Sequence, residues 1–169
     1  MFNQWLRTNK ISAGILLVLR VWLGWKWMTA GWGKLTDGFD ASGYLKGTLA
    51  KATGEKPVVQ EWWGSFIEGF ALPNAGFFNF AIPWGEFLVG LGLILGTLTT
   101  AAAFFGLMMN FAFFFSGTIS SNPEMIICGF IILAAGANAG YFGGDRWVLP
   151  LIKEKLFNRK GQHRETPTA

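Results

Sequence analysis

Lys, Arg, Asp and Glu avoid four long apolar stretches of this chain and collect between them. A helix needs about 20 apolar residues to cross the hydrocarbon of a bilayer, and backbone within lipid must satisfy its own hydrogen bonds. Four such stretches in 169 residues leave room for one compact membrane unit, residues 1–160, and hardly for a second. Charged residues are 14% of the chain, against about 25% in soluble domains. No block of Lys and Arg outside the C-terminal tail offers the solvated basic face that a nucleic acid needs. The expected surroundings are therefore membrane lipid, and no nucleic-acid partner is expected.

The pattern predicts an all-α integral membrane fold: an antiparallel four-transmembrane-helix bundle with an extracytoplasmic loop carrying short amphipathic helices. The spans fall at about 11–32, 74–98, 99–116 and 123–141. The outer loop covers about 35–73, and the tail over 161–169 is expected to be disordered. The turn near Thr97 to Thr100 is so short that spans two and three must form a tight hairpin. Asn122-Pro123-Glu124 predicts a helix start, with Asn122 as cap, Pro at the first position and an acid in the first turn. Pro83 either kinks span two or marks its true start, in which case that span is only about 24 Å long. Gly92 and Gly96, and the series Gly136, Gly140 and Gly144, have the spacing that lets membrane helices approach closely.

Orientation follows from Lys and Arg near the span ends. The N-terminal flank has Arg7 and Lys10, and the C-terminal flank has Arg146, Lys153, Lys155, Arg159, Lys160 and Arg164. The loop after span one balances Lys34, Lys46, Lys51 and Lys56 against Asp37, Asp40, Glu55, Glu61 and Glu68. The loop between spans three and four has no Lys or Arg. This predicts a multi-pass protein of the cytoplasmic (inner) membrane with both termini cytoplasmic. Span one is read as retained, because its apolar run is too long for a signal peptide and carries Arg20.

Within the outer loop, Asp40 or Ser42 is expected to cap a short helix through Tyr44, Leu45 and Leu49. Pro57 is expected to open a second. There Val59, Trp62, Trp63, Phe66, Ile67 and Phe70 form an apolar stripe opposite Gln60, Glu61, Ser65 and Glu68. This helix either lies flat in the outer membrane interface or roofs the bundle.

The charges inside the spans are the candidates for chemistry. An unpaired charge at mid-membrane costs at least about 2.5 to 3.5 kcal/mol. Arg20 is about ten residues from the inner end of span one, and Glu86 is about a dozen from that of span two. Counted this way their depths match, so an Arg20–Glu86 pair is expected, with Lys26 approaching from the outer side and Asn110 at similar depth. Such a pair either fixes helix register or handles protons and ligand. Lys26 is equally read as snorkelling to the headgroups. Trp5, Trp32, Trp84 and Trp147 read as interfacial anchors. Trp25 and Trp27 either face lipid or wall a flat ligand.

Other chemistries lack their residues. A disulfide relay needs two cysteines, and Cys128 is the single one. The single His, His163, sits in the tail, so no haem ligand comes from a span. No His, Cys, Asp and Glu cluster has metal spacing, and no phosphate loop or dinucleotide fingerprint is present. No metal or haem is expected. Any electron carrier is then a bound organic molecule or another subunit.

Three segments carry a resemblance. "LRVWLGWKWMTAGWGKL", "GEFLVGLGLILGTLTTAAAFFGLMMN" and "AGANAGYFGGDRWVLP" are similar to the successive segments of DoxX-like membrane proteins, over nearly all four spans. The resemblance implies a four-helix membrane protein related to DoxD, the membrane subunit of thiosulfate:quinone oxidoreductase, which works with a smaller partner subunit. Arg20, Lys34 and Glu86 match recurring polar positions of that family. On this reading a membrane quinone is the expected electron acceptor. Arg20 and Glu86 are the catalytic candidates, Trp25, Trp27, Lys26 and Asn110 would hold the quinone, and Lys34 would attract an anionic substrate under Trp62 and Trp63. A homo-oligomer stays open. The alternative is a non-enzymatic membrane component that organises partner proteins or passes a small solute.

Overall fold

The computed structural model describes residues 1–53 and 56–162, with side chains to residue 155. Glu55 and the tail from His163 lie outside them, and Gly161 and Gln162, expected to be disordered, end the last helix. The chain is all-helical, with no strand among the described residues. The order is α1 (Phe2–Thr8), α2 (Lys10–Asp37), α3 (Ala41–Ala50), α4 (Glu61–Phe66), a π-helical segment (Ile67–Ala71), α5 (Ala75–Leu95), α6 (Thr99–Phe115), α7 (Asn122–Ala135), a 3-10 segment (Gly136–Gly140) and α8 (Asp145–Gln162). Three stretches are long and apolar enough to cross a membrane: Lys10–Asp37, Ala75–Leu95 and Asn122–Gly140. Helix α6 is apolar but has only 17 residues, about 26 Å.

Helix α2 packs most extensively on α5, α5 on α6, and α6 on α7, which returns to α2. The α2–α5 contact is the tightest because glycines face each other across it. A Cβ on Gly24 would stand 2.8 Å from the Gly90 carbonyl oxygen. One on Gly31 would strike the Phe87 backbone, and one on Gly90 would strike that of Met28. Such small residues let helix backbones touch where lipid gives no hydrophobic push. The expected glycine series play other parts: Gly96 and Gly144 make room for the side chains of Arg20 and Thr97, and Gly140 for that of Asp145. Helix α5 runs unbroken through Pro83, which is buried, so the span does not start at that proline. The core joins Leu16, Leu23 and Trp27 of α2 to Val89 and Leu93, with Ala103, Met125 and Ile132 from the other helices.

The segment between α2 and α5 folds into a roof. Asp40, not Ser42, caps α3 by accepting from Ser42 and Gly43 N–H, both at 3.0 Å. Pro57 does not open a helix. The N–H groups of Val58 and Val59 both donate to the Lys51 carbonyl, which pulls the chain back onto α3, and α4 starts only at Glu61. The expected apolar stripe divides: Val59 and Ile67 are buried, while Trp62, Phe66 and Phe70 are exposed. Ile67 and Ala71 pack with Ala41 and Leu45 into a second small core. Trp63 Nε1 donates to Ser116 Oγ (2.9 Å), Tyr44 OH pairs with Thr118 Oγ1 (3.1 Å), and Lys51 Nζ donates to the Gly117 carbonyl (3.3 Å). These bonds fasten the roof to the turn between α6 and α7. Asn122 is not the cap of α7. It is the first helical residue, its amide donates to the Thr118 carbonyl, and Ser121 precedes it without a capping bond.

Gly31→Ala should therefore destabilise by about 1–3 kcal/mol, because backbone must move to admit one methyl. Gly14→Ala meets nothing within 4 Å and should change stability by no more than about 0.5 kcal/mol. Thermal unfolding of the detergent-purified variants compares them. Equal melting temperatures would mean that the helices do not approach this closely.

Candidate functional site

Antiparallel packing through Gly24, Gly31 and Gly90 sets which polar groups meet. Arg20 lies level with the end of α5, not with Glu86. Its Nη1 donates to the carbonyls of Leu93 (2.5 Å) and Ile94 (2.8 Å), and its Nη2 donates to that of Phe142 (2.8 Å). These include the last carbonyls of α5, which no helical N–H can reach and where a cation is favoured. The expected Arg20–Glu86 pair is absent. Glu86 pairs instead with Lys34, Nζ to Oε2 at 2.7 Å. Depth counted from the helix ends does not align the two helices, because they differ in length. Helix α2 has 28 residues and α5 has 21, about 42 against 32 Å. The first turns of α2 overrun the end of α5, and the register shifts by about two turns.

Asp145 completes the structure at the Arg20 end. Its carboxylate accepts from the N–H groups of Leu98 (2.6 Å) and Thr99 (3.0 Å), and so caps α6. Its own N–H donates to Gly96 and that of Gly144 to Leu95. Gly96, at φ +64°, turns the chain between α5 and α6 with no Cβ to strike the Arg20 guanidinium. Nearby, Asn138 Nδ2 donates to the Leu6 and Asn9 carbonyls and to Ser12 Oγ. Most polar groups of this end bind backbone, while Arg20 Nε and Thr99 Oγ1 are buried without a partner.

The opposite, roofed end holds a cavity of about 290 Å³. Trp27, Phe113, Tyr44 and Phe39 wall it, and Lys34 and Glu86 sit at its side. The Tyr44 ring stands edge-on to Phe113 at 6.0 Å, and Phe113 tilts over Trp27 at 6.5 Å. Glu86 is buried and Lys34 is 28% exposed. Lys34 engages Oε2 alone, which leaves Oε1 for an occupant of the cavity. Lys26 reaches the same space and faces Glu124 at 3.8 Å. Wider grooves of about 430 and 360 Å³ run along α6, but their linings are almost wholly apolar, and Asp145, in the wider one, is already bonded.

The structure thus brings Lys26, Trp27, Lys34 and Glu86 to one cavity and leaves the other candidates elsewhere. Arg20 holds helix ends. Trp25 is 60% exposed on the outer face of α2 and does not wall the cavity. Asn110 is buried on α6 with its Oδ1 unpartnered, outside the cavity lining. Trp62 and Trp63 do not cover Lys34. Trp63 is held by Ser116, and the aromatic ring over Lys34 is Phe39, 5.9 Å from Nζ. Phe39, Tyr44 and Glu124 were not anticipated. No helical period links a loop aromatic to a span, so no sequence signal marks them.

Lys34→Met should cost about 3–5 kcal/mol, since it strands a buried carboxylate. Glu86→Gln should cost less, because Lys34 can turn to water. Lys34→Met with Glu86→Met should recover most of the loss. A thermal double-mutant cycle reads the coupling, and additive losses would refute the pair. Arg20→Leu should cost about 1–3 kcal/mol for each carbonyl it leaves unbonded. Arg20→Lys should recover only part, because an ammonium lacks the planar fork.

A family model described as DoxX matches residues 15–118. The match runs from the first turns of α2 through the roof, α5 and α6 to the turn that Tyr44 and Lys51 hold. Helix α7 and the segment around Asp145 fall outside it. No curated protein and no solved structure matches the chain. The match takes in more than half of the chain, including both Lys34 and Glu86, and the protein belongs to the DoxX family.

Proposed function

We propose that this chain is the membrane subunit of a quinone-linked oxidoreductase of the thiosulfate:quinone type, built as a four-helix bundle in which α6 is the fourth, shorter span. The observation that carries the reading is the buried Glu86–Lys34 pair beside an aromatic-walled cavity. The residues fit a quinone ring. The volume is near the lower limit of small-molecule sites, and apolar walls with a few polar groups are the usual lining. Trp27 and Phe113 offer flat faces, and Lys26, Tyr44 and Ser121 offer donors to ring oxygens. When bound, a quinone supplies acceptance of two electrons and two protons. Glu86 can hold a proton at Oε1 while Lys34 stabilises its charged form. The roof, bonded to Ser116, Gly117 and Thr118, keeps bulk water from these groups. With one Cys and one His in the chain, the electrons are delivered by a partner subunit or by the reduced substrate itself.

The competing reading is a non-enzymatic membrane component that organises partners or passes a solute. It gains support from Arg20, whose hydrogen bonds all hold backbone. Membranes containing the protein, supplied with thiosulfate and a short-chain quinone, should reduce the quinone faster than membranes without it. Glu86→Gln should lower that rate at least tenfold at equal protein abundance. Equal rates in all membranes, candidate partner subunits included, would leave the non-enzymatic reading standing.

The proposed orientation puts both termini in the cytoplasm of an inner membrane and the roof outside, following the Lys and Arg balance. A Cys placed at Lys51, which is exposed, should react with an impermeant reagent on intact cells. Reaction only after lysis would reverse the orientation.

A further inference from the structure

The cavity under the roof is not evenly closed. Trp27, Glu86, Asn122 and Met125 of its lining are buried, whereas Ala30 and Ser120 are exposed. The roof side is shut by Phe39 and by the Tyr44–Thr118 hydrogen bond. The α5 side is shut by the glycine contact with α2. The opening therefore lies between α2 and the turn that enters α7. One polar contact spans it: Lys26 Nζ to Glu124 Oε1 at 3.8 Å, with both side chains about half exposed. That pair is long and exposed, so it can part at a cost of about 0–1 kcal/mol.

The surface around the gap is apolar. Trp22 lies below Lys26, whose ammonium stands 5.5 Å over its ring. Ile119 and Ile127 flank the α7 side, and both are more than 60% exposed. Trp22 and Ile127 belong to stretches long and apolar enough to cross a membrane. A polar solute arriving from water would meet a hydrophobic rim here. A lipid-soluble molecule diffusing in the bilayer would meet a rim like its own solvent, and then two charged groups.

We infer that the cavity opens sideways, between α2 and the start of α7, as the entry for a flat, lipid-soluble ligand, with Lys26 and Glu124 as the polar latch that it passes. This rests on the reading of the cavity as a quinone site. Lys34 and Glu86 meet the ring inside, Lys26 is the first donor it encounters, and Ala30 lies exposed at the doorway. Lys26 is then a positioning residue of the entrance, which accounts for a cation on a lipid-facing part of α2.

Labelling tests the doorway in membranes. In a Cys128→Ser background, Ala30→Cys should react with a pyrene maleimide at least tenfold faster than with a sulfonated, impermeant maleimide applied from either side. Lys26→Met with Glu124→Met should speed the pyrene reaction severalfold. Thr29→Cys, on the neighbouring exposed face of α2, gives the rate for simple lipid exposure. Decylubiquinone should protect Ala30→Cys and not Thr29→Cys. Labelling of Ala30→Cys by the sulfonated reagent as fast as by the pyrene reagent would overturn the side opening. Lipid-selective labelling without protection would keep the side opening and remove the quinone as its occupant.

Discussion

The approach of α2 to α5 sets everything else in this molecule. Because Gly24, Gly31 and Gly90 remove side chains from the contact, the two backbones touch, and the helices have little freedom to slide. A one-turn slip would drive Met28 or Phe87 into the opposing helix. The register fixed in this way brings Lys34 to Glu86 and Arg20 to the last carbonyls of α5. Electrostatics alone does not choose between these partners and an Arg20–Glu86 pair. Steric contact between glycines chooses, and the charges follow.

That order explains what the sequence shows and what it hides. The apolar stretches of α2, α5 and α7 stand out because the bilayer demands length and composition. The Asp40 cap is legible because capping is local. The ion pairs are not legible, because they depend on how far one helix overruns another, and helix length is blurred at both ends by polar flanks. Helix α2 continues to Asp37, well past its last long apolar run, and Lys34 sits on that extension. The short α1 and the α8 helix give no apolar period long enough to betray them. The start of α4 is decided by the two backbone hydrogen bonds to Lys51, which have no side-chain signature. Asp145 is similar: its role as a cap for α6 joins residues 46 and 47 positions apart.

The polar groups divide by end. At the end carrying Asn9, Gly96 and Asn138, the side chains of Ser12, Arg20, Asn138 and Asp145 answer backbone groups, as the cost of unpaired groups in an apolar interior requires. This is architecture. At the roofed end the polar residues face a space. Glu86 has one carboxylate oxygen engaged, and Lys26 has a long, weak contact. The family match covers Lys34 and Glu86 and stops at the turn before α7. The paired charges thus lie within the matched range, and Glu124 lies beyond it.

The choice of cation at each end fits the division. Arg20 meets three carbonyl oxygens from two segments, a task for a planar fork of donors that never loses its charge. Lys34 meets a single carboxylate oxygen, and an ammonium on a flexible stem can let go and return. A side chain that only had to fix two helices would gain from being an arginine, bonded to both oxygens of Glu86. A lysine at this position leaves the second oxygen free and the pair separable. On the proposed quinone reading, that free oxygen is where a proton would be taken up and released. The two cations that look alike along α2 are therefore opposites. Arg20 bonds backbone carbonyls alone, and Lys34 bonds a carboxylate that keeps one oxygen unengaged.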